Sequence, residues 1–231
     1  MAERTMEEAK EENVAKMGNE LGTLYTALWQ ALAGINIYWS EYKEMFGTKP
    51  ERIDLLNRAA PAFFRMLQDE LWDMALLHIA RITDPAQSFG QRDKSNLTVQ
   101  ALPALIADPT LRANVTVLIA EAINQTEFCR DWRNRRIAHR DLKLALDQPT
   151  TPLASASRLQ VNKALEALGA ILNAMAAHYF DSETLFHNGV RIDGAVHLMY
   201  LLDDGLRAQE ERTKRLASGK PLEADFKRRA L

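Results

Sequence analysis

Apolar residues recur three or four apart along almost the whole chain, and that spacing limits what it can fold into more than any other feature. A period of 3.6 marks one face of an α-helix, whereas a half-buried strand alternates every two residues. Leu21, Leu24, Leu28, Ile35, Trp39, Tyr42 and Phe46 keep the helical period, so residues 4–46 read as one long amphipathic helix. Gly47-Thr48-Lys49-Pro50 stops it, and a short helical piece follows. Pro61 opens the next helix, where its missing N–H costs nothing. That helix carries Phe64, Leu67, Leu71, Met74, His78 and Ile82 as far as Thr83-Asp84-Pro85. Residues 84–97 read as a loop, and Thr98 caps a short helix holding Leu102, Leu105 and Ile106. From Thr110 a stripe runs through Leu111, Val115, Leu118, Ala122, Cys129 and Trp132 into a basic patch. A loop at 148–157 precedes a helix bearing Val161, Leu165, Leu168, Leu172, Met175 and Tyr179. After a turn at 181–189, a last helix holds Val196, Met199, Leu202 and Leu206 and then becomes wholly charged.

There is no sustained two-residue alternation and no repeat of fixed period. The fold class expected is all-α: an antiparallel bundle of about six helices with long N- and C-terminal helical extensions. It would form one domain over residues 1–217. A basic tail at 218–231 is expected to lack fixed structure unless a partner docks it.

With 231 residues, the chain can bury a core without staples. Its single cysteine, Cys129, rules out an internal disulfide and suits a reducing compartment. The first residues are charged where a secretory signal would be apolar, and the most apolar stretch, 168–180, is too short to cross a bilayer. A cytoplasmic protein with no membrane partner is the expectation. The net charge of −2 is not that of a dedicated nucleic-acid binder, and nothing implies DNA specifically. No two histidines lie three or four apart and Cys129 has no cysteine partner, so neither a metal nor a cofactor is expected. No Gly-rich phosphate loop is present.

Any RNA contact must therefore be local, and the segment 130–143 offers it. Arg130, Arg133, Arg135, Arg136 and Arg140 crowd around His139. Metal-independent RNA cleavage needs a base for the 2′-OH, an acid for the leaving 5′-oxygen and a cation for the charge growing on phosphorus. Histidine titrates near neutrality, and arginine grips phosphate with two donors. With Trp132 on the apolar stripe, His139 lies seven residues further along it, facing the core or an interface. Arg135 and Arg136 share its side. Arg133 lies about 120° away on an ideal helix. It converges with His139 only if the helix loosens near its end or a second subunit supplies the other half of the site.

The run Arg133-Asn134-Arg135-Arg136-Ile137-Ala138-His139 resembles the HEPN superfamily signature, an arginine and a histidine separated by four to six residues, with a polar residue after the arginine. The longer stretch ending His139-Arg140-Asp141, together with residues 71–85, resembles the AbiU-like branch associated with abortive phage infection. The likeness covers about residues 20–180. It implies a helical bundle that dimerises with two motifs facing each other. Arg133 would contact phosphate, Asn134 would orient it, and His139 would act as acid or base. Arg130, Arg135, Arg136 and Arg140 would hold the RNA backbone. Partners implied are RNA, tRNA among the candidates, a second copy of the chain, and an antitoxin protein. A chain with five histidines and many arginines meets the bare spacing by chance, as Arg191 and His197 do. The extended runs carry the resemblance.

Two other readings stand beside the ribonuclease. In one, a non-catalytic helical module uses the cluster to bind RNA, a nucleotide or a protein. In the other, a structural dimer buries His139 and pairs the arginines with carboxylates such as Glu121, Glu127, Asp131 and Asp141. His78 reads as a hydrogen-bonded core histidine, His178, His187 and His197 as structural or surface residues, and Cys129 as inert packing.

Overall fold

A computed structural model describes residues 5–87, 95–186 and 193–227. Helices make up most of it: α1 (Met6–Met17), α2 (Asn19–Phe46), α3 (Pro50–Ala59), α4 (Pro61–Ile82), α5 (Leu102–Leu105), α6 (Pro109–Trp132), α7 (Leu142–Ala145), α8 (Arg158–Phe180), α9 (Ala195–Ala217) and α10 (Glu223–Phe226). Among the described residues no strand forms. A single antiparallel bridge joins Gln87 to Ser95. The all-α reading therefore stands, with seven helices of ten residues or more in place of about six.

The chain divides into two compact units, Met1–Trp39 with Leu71–Gly189, and Ser40–Glu70 with Val190–Leu231. Two of the three boundaries fall inside α2 and α4, so helical periodicity runs unbroken across them and cannot reveal them.

In the first unit α8 is the central helix, with Leu168, Ile171, Leu172 and Met175 almost fully buried. Each such side chain contributes about 1.5–3 kcal/mol. It runs antiparallel to α2: Tyr25 stacks on Phe180 at one end, and Trp39 Nε1 donates to Asn162 Oδ1 (2.7 Å) at the other. It is likewise antiparallel to α6, since Tyr179 lies by Asp108 while Trp132 Nε1 donates to Ala154 O (2.8 Å). The long N-terminal helix expected over 4–46 is broken. Gly18 stands at φ +86°, a conformation other residues rarely adopt, and α1 folds back on α2. Gly22 makes the close approach, because a Cβ there would meet Asn13 O at 2.6 Å and Val14 Cα at 2.7 Å.

On α4 the buried face is Ala75, Leu76, Ile79, Ala80 and Ile82, while Met74, read as part of the stripe, is exposed. His78 is half-buried and makes no hydrogen bond among the described residues, so it is not the bonded core histidine expected. Burial first, then Arg81, holds its pKa below the ordinary value. Thr98 caps the turn before α5 by accepting from Gln100 N, as read from sequence. Cys129 is wholly buried, which pushes its thiol pKa up and leaves it as packing.

In the second unit α3 packs along α9 around Leu56 and Met199. The Glu41 carboxylate accepts from Ala195 N and so caps α9 from 154 residues away. The C-terminal segment, expected to lack fixed structure, is held as far as Lys227. Asp225 is buried and accepts from Arg215 Nη2 (2.6 Å) and Nε (3.0 Å). Residues 228–231, with Arg228 and Arg229, lie outside the described residues, as do His187, Arg191 and the centre of the 84–97 loop.

Candidate functional site

Three tryptophans position the basic segment. Trp39 on α2 packs at 5.8 Å from Trp72 on α4, and Trp72 at 6.3 Å, edge-on, from Trp132 at the end of α6. The Trp132 indole is also tied to the Ala154 carbonyl, so the last turn of α6 is held at two points.

Immediately after Trp132 the helix widens. Residues Arg133–Ile137 form a π-helical turn, with Ala138 N donating to Arg133 O (2.8 Å) and Asp141 N reaching back to Arg135 O (3.0 Å). Arg-Asn-Arg-Arg has no apolar side to hold it against the bundle, and its side chains bond to other segments. Single π-turns are frequent at functional sites. Loosening near the helix end is the condition under which Arg133 and His139 could converge within one chain.

Arg133, half-buried, pairs through Nη1 with Asp84 and through Nε with Asn134 Oδ1 (3.0 Å). Arg130 shares Asp84, its Nε lying 3.9 Å from Oδ1, and donates Nη2 to Thr83 O (3.0 Å). Arg135 turns the other way, to Asp131 (3.5 Å), Asp141 (3.6 Å) and the carbonyls of Thr151 and Pro152. Asp131 and Asp141 are two of the carboxylates that the sequence offered as partners for the arginines. Arg136 lies 3.9 Å from Asp73 and over the Trp132 ring at 5.1 Å. Asn134, His139 and Arg140 are exposed. His139 is exposed and not part of the core, and among the described residues no hydrogen bond or ion pair links it to Arg133, Asn134 or any other group. The structure thus gathers Arg130, Arg133 and Asn134 around Asp84, sends Arg135 to the 151–152 loop, and leaves His139 and Arg140 to solvent.

Four of the five arginines face Asp73, Asp84, Asp131 and Asp141, so the cluster is far less positive than its sequence suggests. Asp141 also caps α7. The Leu144 N–H, then the Lys143 N–H and Arg135, hold its carboxyl below the usual range against some burial. Asp73 and Asp84 were not among the residues singled out from sequence. Both lie in the 71–85 run that carried half of the family resemblance, and the structure brings that run against the 130–141 run.

The HEPN AbiU2 family profile (AbiU2) matches residues 18–198. The chain belongs to the HEPN AbiU2 family. Its function is accordingly of the abortive-infection-related kind. No curated protein and no solved structure matches it. The HEPN AbiU2 match spans α2 to the start of α9 and so contains both runs and the π-turn between Trp132 and His139. Among the described residues no helix is long and apolar enough to cross a membrane, and no three His, Cys, Asp or Glu residues gather as metal ligands.

Proposed function

We propose that this HEPN AbiU2 protein is a cytoplasmic, metal-independent endoribonuclease, acting in anti-phage defence or as the toxin of a toxin–antitoxin pair. The observation that carries the reading is His139. It is an exposed imidazole without a partner among the described residues, directly after a π-turn that holds Arg133 and Asn134. An exposed histidine in a run of arginines is free to meet an RNA backbone.

In the reaction, His139 removes the 2′-OH proton and the 2′-oxygen attacks phosphorus. Arg133 offsets the charge on the phosphorane, and the protonated 5′-oxygen leaves. The products are a 2′,3′-cyclic phosphate and a 5′-hydroxyl. A base and an acid are both needed, so a homodimer would let the partner's His139 serve as the second. Arg140, exposed, and Arg130, Arg135 and Arg136, through their unpaired donors, would steer the backbone.

The carboxylate pairing of four arginines favours a second reading, a non-catalytic module that binds RNA or a protein. Incubating the pure chain with labelled tRNA or total RNA in EDTA separates the two. Cleavage lost in His139→Ala and Arg133→Ala supports the enzyme. Intact RNA in every lane at high protein concentration, with RNA still bound, supports the module.

A further inference from the structure

The Arg133 guanidinium is held on two sides. Nε donates to Asn134 Oδ1 and Nη1 to Asp84 Oδ2, while Nη2 has no partner among the described residues. Asp84 is itself firmly placed. Its carbonyl accepts from the buried Thr98 hydroxyl (2.6 Å), and its side chain is 18% exposed. Its Oδ1 is buried without a hydrogen bond, with only Arg130 Nε, also unbonded, 3.9 Å away. One carboxylate thus stands between two arginines in the turn after α4, and it leaves one end of Arg133 unused.

We propose that Asp84 is a positioning residue for Arg133: it orients the guanidinium so that Nη2 points to the phosphate beside His139. This rests on the ribonuclease reading above. A guanidinium on a flexible stem would otherwise sample many rotamers, and misplacing a reacting group by about 1 Å can cost about 100-fold in rate. Asp84 lies in the turn directly after α4, and the Thr98 hydroxyl bond to its carbonyl supplies the support that such a positioning group needs.

The test compares the wild-type chain with Asp84→Asn and Asp84→Glu in three readouts. These are single-turnover cleavage of labelled RNA, binding of a 2′-O-methyl oligonucleotide that cannot be cleaved, and the Arg133 Nε–H NMR signal, assigned by its loss in Arg133→Lys. Asp84→Asn is expected to cleave about 10–100-fold more slowly while binding stays within about threefold, and Asp84→Glu to regain part of the rate. Wild-type cleavage by Asp84→Asn would overturn the proposal. So would faster cleavage with tighter binding, which would make Asp84 a competitor of the phosphate. If the wild-type chain cleaves nothing, the ribonuclease reading fails by itself, and the NMR signal decides the positioning. An Arg133 signal unmoved in Asp84→Asn overturns it, and one that shifts and broadens upholds it.

Discussion

Replacing Gly18 by alanine sets backbone strain against tertiary contacts, and the structure says which is larger. At φ +86° and ψ 163° an L side chain is strained by about 1–3 kcal/mol. A variant could escape that strain by straightening α1 and α2 into one helix, the form their sequence period suggests. Straightening would break the Asn13–Thr26 hydrogen bond (2.9 Å), worth about 1 kcal/mol. It would remove Lys16 from the Phe180 ring (4.7 Å), about 0.5–1 kcal/mol, and expose Met17, about 1.5–3 kcal/mol. The contacts outweigh the strain, so Gly18→Ala should keep the hairpin and lose about 1–3 kcal/mol. In a chain of this size that lowers Tm by roughly 2–12 °C. Circular dichroism melting gives the shift, and amide exchange across the α1–α2 junction reports its form. An unchanged or raised Tm, with slowed exchange through residues 14–22, would show a continuous helix and refute the reasoning.

Asp131→Ala removes the acceptor for Ala154 N (2.8 Å), so amide exchange at Ala154 should quicken and stability fall by about 1–3 kcal/mol. Unchanged exchange there would mean the loop is held by other contacts. Glu41→Ala uncaps α9 and should cost about 0.5–2 kcal/mol, with fraying of residues 195–198 seen by exchange while the end of α9 is unaffected. The Asp225 carboxyl is held at about 2, chiefly by Arg215, then by Leu222 N–H. A depressed carboxylate contributes its full stability above its ordinary value of 3.8 and loses it as the pH falls through about 2. The C-terminal segment should therefore stay protease-resistant at pH 5 and open in that acid window, and Asp225→Asn should abolish this acid step. Equal opening of both proteins would contradict the assignment.

Helical type was legible wherever one face is apolar, as on α6 and α8, because a 3.6-residue period states which face is buried. The break at Gly18 was not, because α1 continues the period through Val14 and Met17, and a glycine marks a break only when its φ turns positive. The candidate site was half legible. Arg133, Asn134 and His139 stand in one short run, as does the Asp131–Arg135 pair. Asp84 is 49 residues from Arg133, and nothing local to either residue signals their pairing. The near-neutrality of the cluster was half legible too: Asp131 and Asp141 stand in the same run as the arginines, whereas Asp73 and Asp84 arrive from the distant 71–85 run. His139 could be placed on the Trp132 stripe only for a regular helix, and the π-turn between them moved it into solvent.

The end groups left on RNA test the central claim most directly. The pure chain should cut a labelled RNA in EDTA to fragments bearing 2′,3′-cyclic phosphate and 5′-hydroxyl ends. His139→Ala should cut it about 100- to 10,000-fold more slowly. Equal cleavage by His139→Ala, or 5′-phosphate ends from the wild-type chain, would contradict an imidazole at position 139 moving the proton of the 2′-OH.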